Sequence, residues 1–155
     1  MKALTVWQPW ATLIASGAKM IETRAWWTAY RGPLAIHAGA TLRLDCRELC
    51  AEEPFRSALR RAGITDPRAL PLGKVLAVAE LVDCYKIWPS RLASPSIAEC
   101  AFGDFTPGRY AWCLGNVRAL RTPIAAVGHQ GLWEWAAPAE LEEALRGVTE
   151  RGRAG

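Results

Sequence analysis

The stretch KVLAVAELVDCYKI, residues 74–87, constrains the fold more than any other part of the chain. From Val75 to Val82 it is apolar on both faces of an extended backbone, except at Glu80. A strand with two apolar faces must be covered on both sides, as in a barrel or a sandwich. Short strands are expected around it at 3–6, 19–26, 34–38, 109–114, 123–128 and 131–135, with Tyr30–Pro33 as a turn. Pro9 suits the first turn of a helix over 10–16, and Gly17 suits its stop. Between Leu42 and Ala62 the apolar period becomes helical (Leu44, Leu49, Phe55, Leu59), with Asp45 as an early cap, Pro54 dividing the run and Gly63 ending it. Residues 88–108 read as loop. No βαβ series is visible. The expected class is therefore α+β: a small barrel of about six short strands with covering helices, not a doubly wound sheet.

The 155 residues suit one domain, and 51% apolar against 22% charged excludes a disordered chain. The opening apolar run imitates a signal peptide, but Gln8 and Pro9 interrupt it. No run approaches the ~20 apolar residues of a membrane span. The expected location is the cytoplasm, with no membrane partner. Five cysteines at irregular spacing, without a CxxC, read as free thiols. His37 and His129 are far apart in sequence, so neither a metal nor a cofactor is expected. Phosphate-loop, GxSxG and HExxH motifs are absent.

Net charge is +4, but the last ten residues hold Arg146, Arg151 and Arg153 against Glu150. That tail accounts for +2, so any basic footprint elsewhere must be local. The tryptophans are more informative: eight, against three Tyr and three Phe. A core of this size needs fewer, which leaves some to stack on flat partners.

Five segments can carry chemistry. In WQPWA (7–11), two indoles flank Gln8 and Pro9 at a strand-to-helix junction; Gln8 suits either a base edge or a cap, and Trp10 either a ligand or the core. Lys19, Glu22 and Arg24 make either a solvated charged face or a cleft wall in which protons can move. In YRGPLAIHAG (30–39), Arg31 can hold a phosphate, while His37 in an apolar strand suits a hydrogen-bonded core residue as well as a ligand. In FGDFTPGRYAWCLGNV (102–117), glycines and a proline turn into a strand. In GHQGLWEW (128–135), Gly128 and Gly131 bracket His129 and Gln130, so backbone can approach a ligand closely.

In order along the chain, WQPWAxLIxxGxKxxExRxW, YRGPLxIHA, VLAVAELVDC, GRYAWxLxNV and GxQGLW resemble the ASCH-domain family, whose fold is similar to the PUA domain. The resemblance runs from Lys2 to Trp135. It implies an ASCH domain over 1–137; beyond it, Pro138 suits the start of a C-terminal helix, with a flexible basic tail expected over the rest of 138–155. It further implies a cleft for RNA, or for a single nucleotide or nucleobase, lined by Gly17, Lys19, Glu22 and Arg24. Trp7, Trp10 and Trp26 are then candidates for stacking, and Gln8, Arg24, Arg31 and Gln130 for phosphate or base edges. Some relatives are enzymes. One removes the acetyl group of N4-acetylcytidine with a site that looks like Lys, Thr and Glu. Here Lys19 keeps the lysine, Glu22 stands at the threonine position, and Glu99 is the nearest candidate for the distal acid. Lys19, Glu22 and Glu99 are thus the catalytic candidates of an amidohydrolase alternative, with ribonuclease activity a third reading.

Overall fold

The computed structural model describes residues 1–88 and 95–141. One six-stranded sheet dominates, in the order β2-β5-β4-β3-β1-β6. Its strands are β1 (Lys2–Val6), β2 (Ile21–Arg24), β3 (Gly32–Ala38), β4 (Lys74–Lys86), β5 (Tyr110–Ala125) and β6 (Leu132–Glu134). The helices are α1 (Trp10–Ala15), α2 (Leu44–Leu49), α3 (Phe55–Arg61) and α4 (Ile97–Phe102). The β1–β3 pair is parallel, and all other neighbours run antiparallel.

β4 is the backbone of the sheet, pairing with β3 on one side and β5 on the other. Val75 through Ala79 are all buried, as a strand covered on both faces requires. The register shifts once between β3 and β4 and three times between β4 and β5. Such irregularities bend a strand and sharpen its twist, which is how a sheet curls. The curl is deep enough for Arg24 on the edge strand β2 to donate from Nη2 to the Thr5 carbonyl on β1, at 2.6 Å. Those strands lie four places apart in the sheet order. The result is a half-barrel.

Its concave side holds Leu4, Val6, Leu34, Ile36, Leu81 and Trp112, closed by Ala11 and Ile14 of α1. A second cluster joins Leu13 of α1 to Cys50, Phe55, Leu59 and Phe102, which ties the other helices to the barrel mouth. On the convex side Ala3, Ala35 and Val75 pack against Trp135. The chain ends of the barrel are tied as well: the Met1 ammonium donates to the Trp135 carbonyl, and the Trp135 amide to Met1.

Several sequence expectations are corrected in detail. The strands expected at 109–114 and 123–128 are the two ends of one strand, β5, because its intervening residues continue the ladder with β4 through Val78↔Arg118 and Ala77↔Ala119. The strand at 19–26 shortens to four residues, and the expected turn at 30–33 yields to β3 from Gly32. Asp45 lies in the first turn of α2; the cap position is Arg43. Pro54 does divide the helical run, and Gly63 follows its end at φ +82°. The region expected to be loop contains α4, for which SIAE (96–99) is the missed signal: the Ser96 hydroxyl accepts from the Glu99 amide at 3.1 Å. Residues 139–141 are helical, and the rest of the C-terminal helix and basic tail expected over 138–155 lies outside the described residues. Among the described residues no helix is long and apolar enough to cross a membrane.

Candidate functional site

Two hollows meet at the mouth of the half-barrel. The first, of about 470 Å³, lies between β2 and the helices; Trp10, Glu22, Thr23, Phe55, Phe102, Asp104 and Arg109 help to form it. The second, of about 700 Å³, lies toward the loop before β6, with Trp26, His37, Gly39, His129 and Gln130 among its walls. Thr5, Trp7 and Arg24 belong to both. Each volume is within the range of small-molecule sites.

Trp10 is positioned by its own helix. The Gln8–Pro9 bond is cis, and Gln8 Oε1 accepts from the Thr12 amide at 3.0 Å, supplying an N-terminal partner for α1. Gln8 Nε2 donates to the Pro71 carbonyl at 2.8 Å. With both amide ends engaged and 1% exposure, Gln8 serves the helix start and contributes to neither hollow. Trp10 donates from Nε1 to the Phe102 carbonyl at 2.6 Å and meets Phe55 edge to face, so its ring is fixed. Trp7 is half exposed, with the Arg43 guanidinium 4.5 Å over its ring. Gly39 leaves room for that indole, since a Cβ there would lie 3.3 Å from Trp7 Cδ1. Trp26 packs edge to face on Trp112 at 4.6 Å.

The charged residues form a chain along β2. Lys19 is 1% exposed; its ammonium donates to the Ile21 carbonyl and lies 3.5 Å from Glu22 Oε2. Glu22 Oε1 lies 3.4 Å from Arg24 Nε. A buried ammonium is tolerated only when paired, and removing one partner of such a pair costs about 3–5 kcal/mol. Glu22 itself is 8% exposed. Its oxygens face Lys19 and Arg24 at ion-pair range, and among the described residues neither accepts a hydrogen bond. Arg24 Nε is also buried without a hydrogen bond. Asp104 is held below the usual carboxylate range by the Thr106 hydroxyl and amide. The first hollow thus carries Glu22 and Asp104 against Arg24 and Arg109, while the second has Arg24 and, among the described residues, no carboxylate on its wall.

Lys19 and Glu99 stand behind the site rather than in it. Glu99 accepts from the Met20 amide, next to Lys19 in the chain, and its Oε2 is buried without a partner. Neither residue is part of either wall. Arg31 also lies apart: it donates to the Thr28, Tyr30 and Cys84 carbonyls and pairs with Asp83 at 3.0 Å. Gln130 does line the second hollow. Sequence reasoning did not select Thr5, Asp104 or Arg109 for the site. Turn chemistry around Gly103, Pro107 and Gly108 marked a loop there, but nothing local says that it folds back onto β2, where Thr23 Oγ1 accepts from the Asp104 amide and Arg109 donates to the Thr23 carbonyl.

His37 is the histidine that the apolar strand suggested: 1% exposed, and hydrogen-bonded at both nitrogens. Nε2 faces the Ala126 carbonyl at 3.0 Å and therefore carries the proton. Nδ1 then accepts from the Thr5 hydroxyl at 3.2 Å, which in turn accepts from Trp133 Nε1 at 3.2 Å. Burial pushes the His37 pKa below its ordinary value, with His129 adding to that. The folded state therefore binds fewer protons than the unfolded one, and stability falls as pH drops below about 6.5. Urea midpoints are expected to decrease between pH 7.5 and 5.5, and less so in His37→Gln. Equal decreases in both proteins would remove His37 as the cause. All five cysteines are free, and burial lifts the Cys113 thiol to about 11. No cluster of metal-ligating side chains occurs among the described residues.

Curled sheet, covering helices and a cleft at the open mouth together define a small α+β half-barrel domain of the PUA-like kind. The ASCH domain profile matches residues 4–123, and the chain belongs to the ASCH family. The fold is similar to the crystal structure of ASCH from Zymomonas mobilis, with a TM-score of 0.53 at 18% identity, covering 94% of this chain and 93% of that one. A variant structure of the same bacterial protein gives 0.52 at 16%, covering 94% and 96%. In sequence, the chain is 36% identical over 81 residues to human activating signal cointegrator 1, and 35% to the mouse protein. That stretch is 52% of this chain and 14% of each cointegrator's own length.

Proposed function

We propose that the paired hollows hold single-stranded RNA, or a nucleotide of it, with Arg24 as the central contact. One observation carries this reading: Arg24 lines both hollows, as does Trp7. The Arg24 Nη2 is anchored on Thr5, and no protein acceptor among the described residues engages Nη1. A cation fixed by one arm and open at the other suits a phosphate or a base edge. Trp7 and Trp26 offer faces for stacking, each worth about 1–3 kcal/mol per base. The ASCH family is generally associated with RNA binding, which agrees with this use of the cleft. The test is calorimetric titration with a single-stranded RNA oligomer at low and high salt. Binding that weakens with salt is expected; no binding at low salt would remove the reading.

A second reading, hydrolysis of N4-acetylcytidine-type nucleosides, has one observation in its favour. Glu99, the distal acid candidate, is anchored on Met20 beside Lys19, and Lys19 pairs with the cleft residue Glu22. Lys19 would be nucleophile or base, and Glu22 or Glu99 the proton shuttle. It ranks second because neither Lys19 nor Glu99 reaches a cleft wall. Incubation with N4-acetylcytidine and chromatography for cytidine decides it; absence of cytidine at high protein concentration excludes it.

A further inference from the structure

We infer that Glu22 makes the first hollow a guanine reader, an inference that rests on the RNA-binding reading above. The Glu22 side chain is 11% exposed and lines the hollow. Lys19 and Arg24 hold its charge at 3.5 and 3.4 Å, yet neither carboxylate oxygen accepts a hydrogen bond among the described residues. A carboxylate on the wall of a hollow that is held by ion pairs keeps oxygen lone pairs open to a ligand's donors. A carboxylate is acceptor-only, and its two oxygens match two adjacent, parallel N–H donors. Among the four bases, guanine alone offers that pair on its Watson–Crick edge, through N1–H and the N2 amine. Adenine and cytosine each present one donor beside an acceptor lone pair, which a carboxylate repels. Uracil presents one donor between two carbonyls. Stacked against the fixed indole of Trp10, a guanine can direct its edge at Glu22 while Arg24 takes the adjoining phosphate.

The experiment is calorimetric titration of the protein with the single-stranded RNA pentamers UUGUU, UUIUU, UUAUU and UUCUU, where I is inosine. Bidentate readout predicts that UUGUU binds about ten-fold more tightly than UUAUU or UUCUU. Inosine keeps N1–H and lacks the N2 amine, so UUIUU is expected to lie between them. Glu22→Gln, which turns one acceptor into a donor, is expected to remove the preference for guanine. Should that variant fail to fold, the inosine comparison in the unaltered protein decides. Equal affinity for all four pentamers, or a guanine preference that survives in Glu22→Gln, overturns the inference and leaves the RNA-binding reading standing. No binding of any pentamer overturns both.

Discussion

Arg24→Ala is expected to lower affinity for single-stranded RNA at least ten-fold and to reduce the salt dependence of binding. Among the described residues Arg24 is the one cation common to both hollows, so its loss removes an electrostatic contact wherever the ligand sits. Removing one phosphate contact lowers the slope of log affinity against log salt by about one. The comparison is Arg31→Ala, expected to bind as the unaltered protein does. Arg31 is the same residue type, but its guanidinium is engaged by Asp83 and three backbone carbonyls outside the hollows. Arg24 also bridges β2 to β1, so circular dichroism should accompany the titrations. Unchanged affinity in a folded Arg24→Ala protein would move the site elsewhere. Equal losses in the two variants would reduce the effect to net charge.

Trp112→Ala carries the largest expected loss of stability. Among the described residues Trp112 is the largest fully buried side chain. It pairs in register with Glu22 on one side and Cys84 on the other, meets Trp26 edge to face, and donates to the Trp26 carbonyl at 3.2 Å. Truncating such a residue costs about 3–5 kcal/mol, partly transfer energy and partly the cavity left behind. That is a large part of the 5–15 kcal/mol typical of a domain. Trp112→Phe should cost less, because most of the apolar volume remains while the hydrogen bond goes. Urea unfolding reads both. The same change should loosen β2, the strand that places Glu22 and Arg24, so weakened RNA binding is expected alongside the stability loss. A midpoint shifted by less than about 1 kcal/mol would mean that the core repacks around the gap.

The two substitutions differ in how visible their targets are before folding. Trp112 lies in a strand whose alternation is plain, so its strand placement follows from period alone. Arg24 has the same alternation, but that says only that it shares a face with Glu22; a solvated face and a cleft wall give the same pattern. Gln8 shows the reverse error. Flanked by two tryptophans it suggested a ligand contact, yet its amide is taken up by Thr12 and Pro71, the latter 63 residues away. Arg31 likewise finds Asp83 and Cys84 across the sheet. Asp104 and Arg109 join the site only because their loop packs on Thr23, a contact spanning more than eighty residues.

By itself the sequence determined the local choices: a strand apolar on both faces at β4, helix boundaries at Pro54 and Gly63, paired charges along β2, and the motif order shared with the ASCH family. These follow from side-chain period and backbone sterics, which act over a few residues. Tertiary structure alone decided which polar groups are spent inside the protein and which face a ligand. Sheet curl brings Arg24 against Thr5, joins two hollows around that pair, and places Glu22 on the wall of one of them. The physical reason is that a hydrogen bond is settled by whatever partner folding brings within about 3 Å, and for Gln8, Arg31 and Arg24 that partner is remote in the chain.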